Sequence, residues 1–174
     1  MLGVAGCGDQ AKPQGAVTQK VAEAPVKKDF QAVTDIKEGR KNVYAVVKAM
    51  DNVYWKEVIR GLKEGGEAAN ANVYVGGVVK DGNWEAQQEL LKSLEGKSVD
   101  AVVLGAADSM RMAESAKALR DKNVPVVLVD TMLNTEDYDA AYMTNNLSAG
   151  AEVAKKMVEL LKSNGVSEND QITV

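Results

Sequence analysis

Lys48, Asp51, Asn52, Tyr54 and Trp55 lie close together in the stretch KNVYAVVKAMDNVYW, from Lys41 to Trp55. They offer an ammonium, a carboxylate, an amide and two flat rings. That set suits a sugar, whose hydroxyls need donors and acceptors and whose C–H faces favour aromatic planes. A second carboxylate, Asp130, ends the apolar run VPVVLV. A carboxylate at the end of a buried strand is costly without a partner, so Asp130 is expected to have one.

The elements that position these groups can be read from periodicity. Val43, Ala45, Val46 and Val47 form a β-branched run of the kind buried on both faces of a parallel sheet. Asp51-Asn52 marks a turn, and Trp55, Val58, Ile59, Leu62 and Ala69 then share a helical face. Gly65-Gly66 weakens that helix near its end. A second strand is expected over 72–79, where Gly76-Gly77 suggests a bulge or a close backbone approach. After the turn Asp81-Gly82-Asn83, the residues Trp84, Gln87, Leu90, Leu91 and Leu94 form a second amphipathic helix, ended by Gly96. Strands follow over 99–104 and 124–129, with a helix between them that Asp108 or Ser109 can cap. A short strand over 138–143 leads to a long helix capped by Asn146, with Val153, Ala154, Met157, Leu160 and Leu161 on one face. Residues 171–174 read as the opening of a sixth strand. Helices between apolar strands require parallel crossovers, so the class is α/β, a doubly wound parallel sheet flanked by helices. The first corner then lies at the carboxyl edge of the sheet, where open parallel sheets bind ligands.

Composition removes several functions. The chain has 174 residues, no histidine and one cysteine. Ser-His-Asp and Cys-His catalysis are excluded, as are a cysteine cluster and most zinc sites. A net charge of -4 argues against a nucleic-acid partner held through phosphates. No strand is followed by G-x-G-x-x-G or by a P-loop, and no metal or cofactor is expected. No apolar stretch approaches the roughly 20 residues of a membrane helix.

Residues 1–40 differ from the rest, with Gly3, Gly6, Gly8, Gly15, Pro13 and Pro25 and no sustained apolar period. They are expected to form a leader and flexible tether. Val4-Ala5-Gly6-Cys7 resembles a bacterial lipobox, in which the cysteine is lipidated after cleavage. Only Met1 to Gly3 precede it, so either the upstream signal has been trimmed or the match is chance and Cys7 is a free thiol.

From residue 42 onward the chain resembles the sugar-binding proteins of bacterial ABC importers, of the ribose and allose type. The carriers are VVKAMDNVYW, NWEAQQELLKSL, AVVLGAADS, NVPVVLVDTML and AYMTNNLSAGAEVA, in that order and spacing. The resemblance implies a type I periplasmic-binding-protein fold of two α/β lobes joined by a hinge, with the sugar between them. It places ligand contacts at Lys48, Asn52, Tyr54, Trp55 and Asp130, and the hinge at Asn145-Asn146. It divides the chain into the leader (1–40), an amino-terminal lobe (41–145) and a hinge crossing with the start of an incomplete second lobe (146–174). Thr131 stands where ribose binders often carry arginine, Gly105 where a polar residue often ends the strand, and Val53 where proline is usual. These departures fit the sugar class and point away from ribose itself.

Plainer roles stay open for each residue. Trp55 also fits the first core position of its helix, Tyr54 an exposed loop, Lys48 the solvent edge, and Asn52 a turn or cap. Asp108 fits a helix cap, and Asn146 either hinge or cap. The implied function is non-catalytic capture of a monosaccharide for a membrane permease, outside the cytoplasm, with membrane attachment through a lipid anchor only. Alternatives are the effector lobe of a sugar-responsive transcription regulator and an α/β enzyme using a phosphorylated substrate. The first 40 residues carry no helix-turn-helix pattern, which argues against the regulator. The family runs well past this length, so the chain reads as a partial form. Half of a ~μM contact set gives only ~mM binding, so 1–174 alone is expected to bind a monosaccharide weakly. The apolar face of its last helix is expected to drive self-association.

Expressed with its native upstream sequence in a bacterial host, the protein is expected to carry lipid on Cys7, detected by mass spectrometry. An unmodified cysteine in a secreted product would contradict the anchor.

Overall fold

The computed structural model describes residues 29–78 and 82–166. Cys7, most of the leader and the expected strand over 171–174 lie outside them. The described elements are β1 (Gln31–Ala32), β2 (Asn42–Val47), α1 (Val53–Ala68), β3 (Asn72–Gly77), α2 (Trp84–Lys92), β4 (Ala101–Leu104), α3 (Ala113–Asp121), β5 (Val126–Val129), β6 (Ala140–Tyr142) and α4 (Asn146–Ser163). The strands form a single sheet in the order β1-β3-β2-β4-β5-β6. Every pairing is parallel except that of β1 with β3.

Alternation along the strands sorts side chains to two faces. Tyr44, Val46, Val102, Leu104, Val126 and Leu128 face α2 and α3, with Leu90, Leu91 and Ala116. Ala45, Val47, Val73 and Val75 face α1, which contributes Trp55, Val58, Ile59 and Leu62. The chain leaves β2 for β3 on one side and then returns past β2 to form β4 on the other. The sheet therefore reverses direction at β2, and the corners after β2, β4 and β5 share its carboxyl edge. Open α/β sheets bind ligands at such a reversal.

Several sequence-based expectations are corrected here. The tether cannot run to residue 40, because 31–32 form β1. Phe30 packs edge-on to Tyr44 with centroids 5.0 Å apart, and Tyr44 stacks on Tyr74 at 4.7 Å. Buried Thr34 accepts the Val73 N–H at 3.0 Å. The Asn72 amide is bonded at both ends to the backbone of Lys37, at 2.9 Å each. The segment before β2 is thus built into the lobe. Strands β3 to β6 are shorter than their apolar runs, because the outer residues of each run pack without extending the ladder.

Gly76-Gly77 marks close approach rather than a bulge: β3 stays in register with β2 throughout. A Cβ on Gly76 would meet the Phe30 ring at 3.0 Å, and one on Gly77 would meet Val47 at 2.8 Å. Asp108 caps the turn before α3, accepting the Met110 and Arg111 N–H groups at 2.9 and 2.8 Å. It does not cap α3, whose N-cap is Met112 with no side-chain bond. The cap of α4 is Asn145, not Asn146: its Oδ1 accepts the Ser148 N–H at 3.0 Å. No residue of α4 is buried, and Leu147, Val153 and Met157 stand exposed. No described helix is long and apolar enough to cross a membrane.

The two adjacent glycines of α1 differ in their demands. A Cβ on Gly66 would sit 2.3 Å from Val73 Cγ2, whereas one on Gly65 meets nothing within 4 Å. Gly66→Ala is expected to destabilise the lobe by about 1–3 kcal/mol through overpacking. Gly65→Ala is expected to stabilise it by about 0.5–1 kcal/mol through helix propensity. Urea midpoints of the two variants measure both effects, and equal midpoints would contradict the close α1–β3 packing.

Candidate functional site

The site is assembled from three strand ends. Lys48 follows β2, Gly105 follows β4 and Asp130 follows β5. Lys48 Nζ donates to Asp130 Oδ2 at 2.8 Å, across 82 residues of sequence. The two side chains are 18% and 32% exposed, so the pair is neither buried nor fully wet. Thr131 Oγ1 donates to the same oxygen at 3.0 Å.

Burial alone would raise the Asp130 carboxyl. Hydrogen bonds from Lys48 and Thr131, the Lys48 charge and a hydrogen bond from Tyr54 outweigh it and hold the group below the usual carboxylate value. The Tyr54 hydroxyl is pushed upward, first by burial, then by the Asp130 charge and the hydrogen bond to it. Asp130 has φ of 69°, in the left-handed region. The Thr131 N–H donates to the Val129 carbonyl at 2.8 Å, which closes a γ-turn centred on Asp130. The turn ends β5 and carries the carboxylate to the sheet edge.

The first corner is built from the helix it opens. Asn52 caps α1, its Oδ1 accepting the Tyr54 N–H at 2.8 Å. The cap bond fixes the side chain of Asn52 at the start of α1. Tyr54 is 47% exposed, and its ring meets Trp55 edge-on at 5.2 Å. Trp55 is only 2% exposed. Tyr54 presents an open ring, while Trp55 is buried as the first core residue of α1. Its ring is seated against Gly105, with the Lys48 ammonium 5.9 Å from its centroid. Lys48, Tyr54 and Asp130 are thus brought together, with Trp55 beneath them and Asn52 at the helix start. Asn145 and Asn146 stand at the start of α4, Asn145 as its cap.

The chain also matches known proteins. The family model described as "Periplasmic binding protein domain" matches residues 43–172. The chain belongs to the periplasmic binding protein domain family. No curated protein sequence matches it. Similar solved structures include the periplasmic component of an ABC-type sugar transport system from Hahella chejuensis, with TM-score 0.63 and 24% identity over 67% of this chain and 43% of that one. A carbohydrate transporter solute binding protein from Agrobacterium radiobacter, in complex with D-arabinose, has TM-score 0.65 and 17% identity over 73% and 43%. A sugar-binding protein of a sugar ABC transporter from Bacillus halodurans has TM-score 0.64 and 25% identity over 71% and 42%. The chain therefore spans about two-fifths of the length of these structures. As a periplasmic binding protein lobe, it places its reversal point and its polar corner at the same sheet edge.

Sequence reasoning missed Gln87, Thr131 as a partner of Asp130, and the seat of Trp55 on Gly105. Gln87 left a signal, being the polar member of an otherwise apolar helical stripe. Gly105 left none, since only its neighbours reveal why a side chain is absent. A groove of about 630 Å³ between α2 and α3, lined by Leu91, Leu94, Leu119 and Val124, opens toward the amino edge and includes none of the site residues.

The lowered Asp130 value has a definite sign. Its interactions contribute stability that is full above the ordinary carboxylate range and is lost as pH falls through the lowered folded-state value. Lys48→Met removes the ammonium and its hydrogen bond, so that burial is opposed only by the bonds from Thr131 and Tyr54. The Asp130 midpoint is then expected to rise, and the acid-side loss of stability to shrink. Carboxyl ¹³C titration and urea melts at several pH values measure both, and an unmoved midpoint would contradict the pair.

Proposed function

We propose that this chain is the amino-terminal lobe and hinge crossing of an extracytoplasmic solute-binding protein that captures a monosaccharide for an ABC importer. The observation that carries the reading is the Lys48–Asp130 pair beside the exposed Tyr54 ring, at the carboxyl edge of the sheet. Lys48 and Asp130 present a donor and an acceptor side by side, so that ligand hydroxyls can accept from one and donate to the other. Tyr54 supplies a face for ring C–H groups. The pair is electrically balanced, which suits a neutral polyol better than an anion. No bond is broken in this function: ligand hydroxyls exchange water for protein partners, and a second lobe joined through Asn145-Asn146 closes over the ligand. A membrane permease is the receiving partner, and Cys7 the point of lipid attachment. Thr131 stands where ribose binders often carry arginine, which weighs against ribose itself as the ligand. Trp55 contributes as the support of the corner.

The isolated lobe presents α4 with its apolar face uncovered, which supports self-association of the 174-residue chain. Family membership and the match to sugar-binding structures support the binding role over a phosphate-using enzyme.

A charge-assisted hydrogen bond is worth about 1.5–3 kcal/mol. In the complete protein, Asp130→Ala is expected to weaken monosaccharide binding at least ~tenfold while the fold survives. A thermal-shift panel of sugars, nucleotides and sugar phosphates identifies the ligand, and calorimetry on wild type and variant measures the loss. Unchanged affinity would reassign Asp130 to a structural role. Stabilisation by nucleotides or sugar phosphates alone would overturn the sugar reading.

A further inference from the structure

Gln87 is fully buried on α2, in the company of Leu90 and Leu91. A buried amide is costly unless both its ends are bonded. Here both are. Gln87 Nε2 donates to the Gly105 carbonyl at 2.8 Å, and its Oε1 accepts the Ala107 N–H at 2.8 Å. Gly105 is also tied to β2, its N–H donating to the Val46 carbonyl at 2.8 Å. The corner after β4 is therefore held from two directions. On this corner sits the Trp55 ring: a Cβ on Gly105 would lie 2.6 Å from Trp55 Cη2 and 2.9 Å from Cζ3. Above the ring stands the Lys48 ammonium, bonded to Asp130.

We propose that Gln87 and Gly105 form a buried platform that sets the position of the Lys48–Asp130 pair through Trp55, making Gln87 a positioning residue of the binding edge. The claim deepens the proposed function and rests on that edge being the ligand site. Gln87 touches no ligand group in this scheme. It fixes the height of the corner, and the corner fixes the ring over which the Lys48 ammonium stands, 5.9 Å from its centroid. A glutamine that merely satisfied α2 would change stability when replaced, and nothing at the far side of Trp55.

The test reads the platform without a sugar, so failure to bind sugars and failure of the platform are separate results. In the 174-residue chain, the indole N–H resonance of Trp55 (identified with Trp84→Phe) reports the ring, and the carboxyl ¹³C titration of Asp130 reports the pair. Gln87→Leu and Gly105→Ala are each expected to shift the Trp55 resonance and to raise the Asp130 midpoint. Gln87→Glu distinguishes the hydrogen bonds from bulk. Its neutral acid can donate to Gly105 and accept from Ala107, whereas its carboxylate cannot donate. Burial raises the pKa of such a carboxyl, while Asp130 is held low, so the two titrations separate. In Gln87→Glu the Asp130 midpoint is therefore expected at its wild-type value, with the Trp55 resonance shifting as pH rises past neutral. A folded Gln87→Leu chain with wild-type Trp55 resonance and Asp130 midpoint would overturn the proposal. If that variant does not fold, Gln87→Glu decides: a Trp55 resonance that stays fixed while the introduced carboxyl ionises overturns it equally.

Discussion

The carboxyl edge of this sheet depends on one buried contact, the Trp55 ring against Gly105. Deleting a buried aromatic of this size costs about 3–5 kcal/mol. A part-exposed ion pair such as Lys48–Asp130 contributes on the order of 0–1 kcal/mol. The packing of the whole ring therefore outweighs the ion pair at this corner. This ordering explains why glycine stands at 105. Any side chain there would displace the ring, and with it the lysine that the ring supports.

The pair's value lies in direction and balance. A lone ammonium or carboxylate at an open sheet edge would attract any counterion, with salt screening the attraction. Paired at 2.8 Å, the two groups nearly cancel at a distance and act only at hydrogen-bond range. A hydroxyl can then donate to Asp130 and accept from Lys48 without net charge transfer into the site. A phosphate would gain from Lys48 but would face Asp130 beside it. At the proposed site such a pair would favour a neutral ligand over an anion, a repulsive route to specificity.

What was legible in the sequence was set by local periodicity. The apolar run 43–47 and the amphipathic stripes of α1 and α2 gave the parallel alternation, because burial on both faces leaves a continuous signal. Lys48 and Asp130 were legible as residues at strand ends, but their mutual contact was not, since it joins positions 82 residues apart. The segment 29–40 was illegible for a related reason. Strand β1 has two residues, too few for any period. Its place is decided by Phe30 lying over Gly76 and by Thr34 and Lys37 meeting β3, all tertiary contacts. Gly66 shows the same limit from the other side. Propensity marks it as a weakness of α1, while Val73 makes it a requirement.

The choice of aspartate at 130 answers two demands at once. The γ-turn that ends β5 puts this residue at φ 69°, a strained conformation for an L-residue. Such a turn persists only where the surroundings fix it. Here the Asp130 N–H still donates to Tyr142 of β6 at 3.0 Å, and the Thr131 N–H closes the turn. Glycine would relieve the strain but remove the carboxylate that Lys48, Tyr54 and Thr131 converge upon. Glutamate would keep the charge, but with a longer side chain and less tolerance of the left-handed region. Aspartate and asparagine are the side chains most often found at positive φ, and of the two only aspartate carries the charge that pairs with Lys48. Backbone and side chain therefore select the same residue, the backbone to turn the strand at the sheet edge and the side chain to complete the pair.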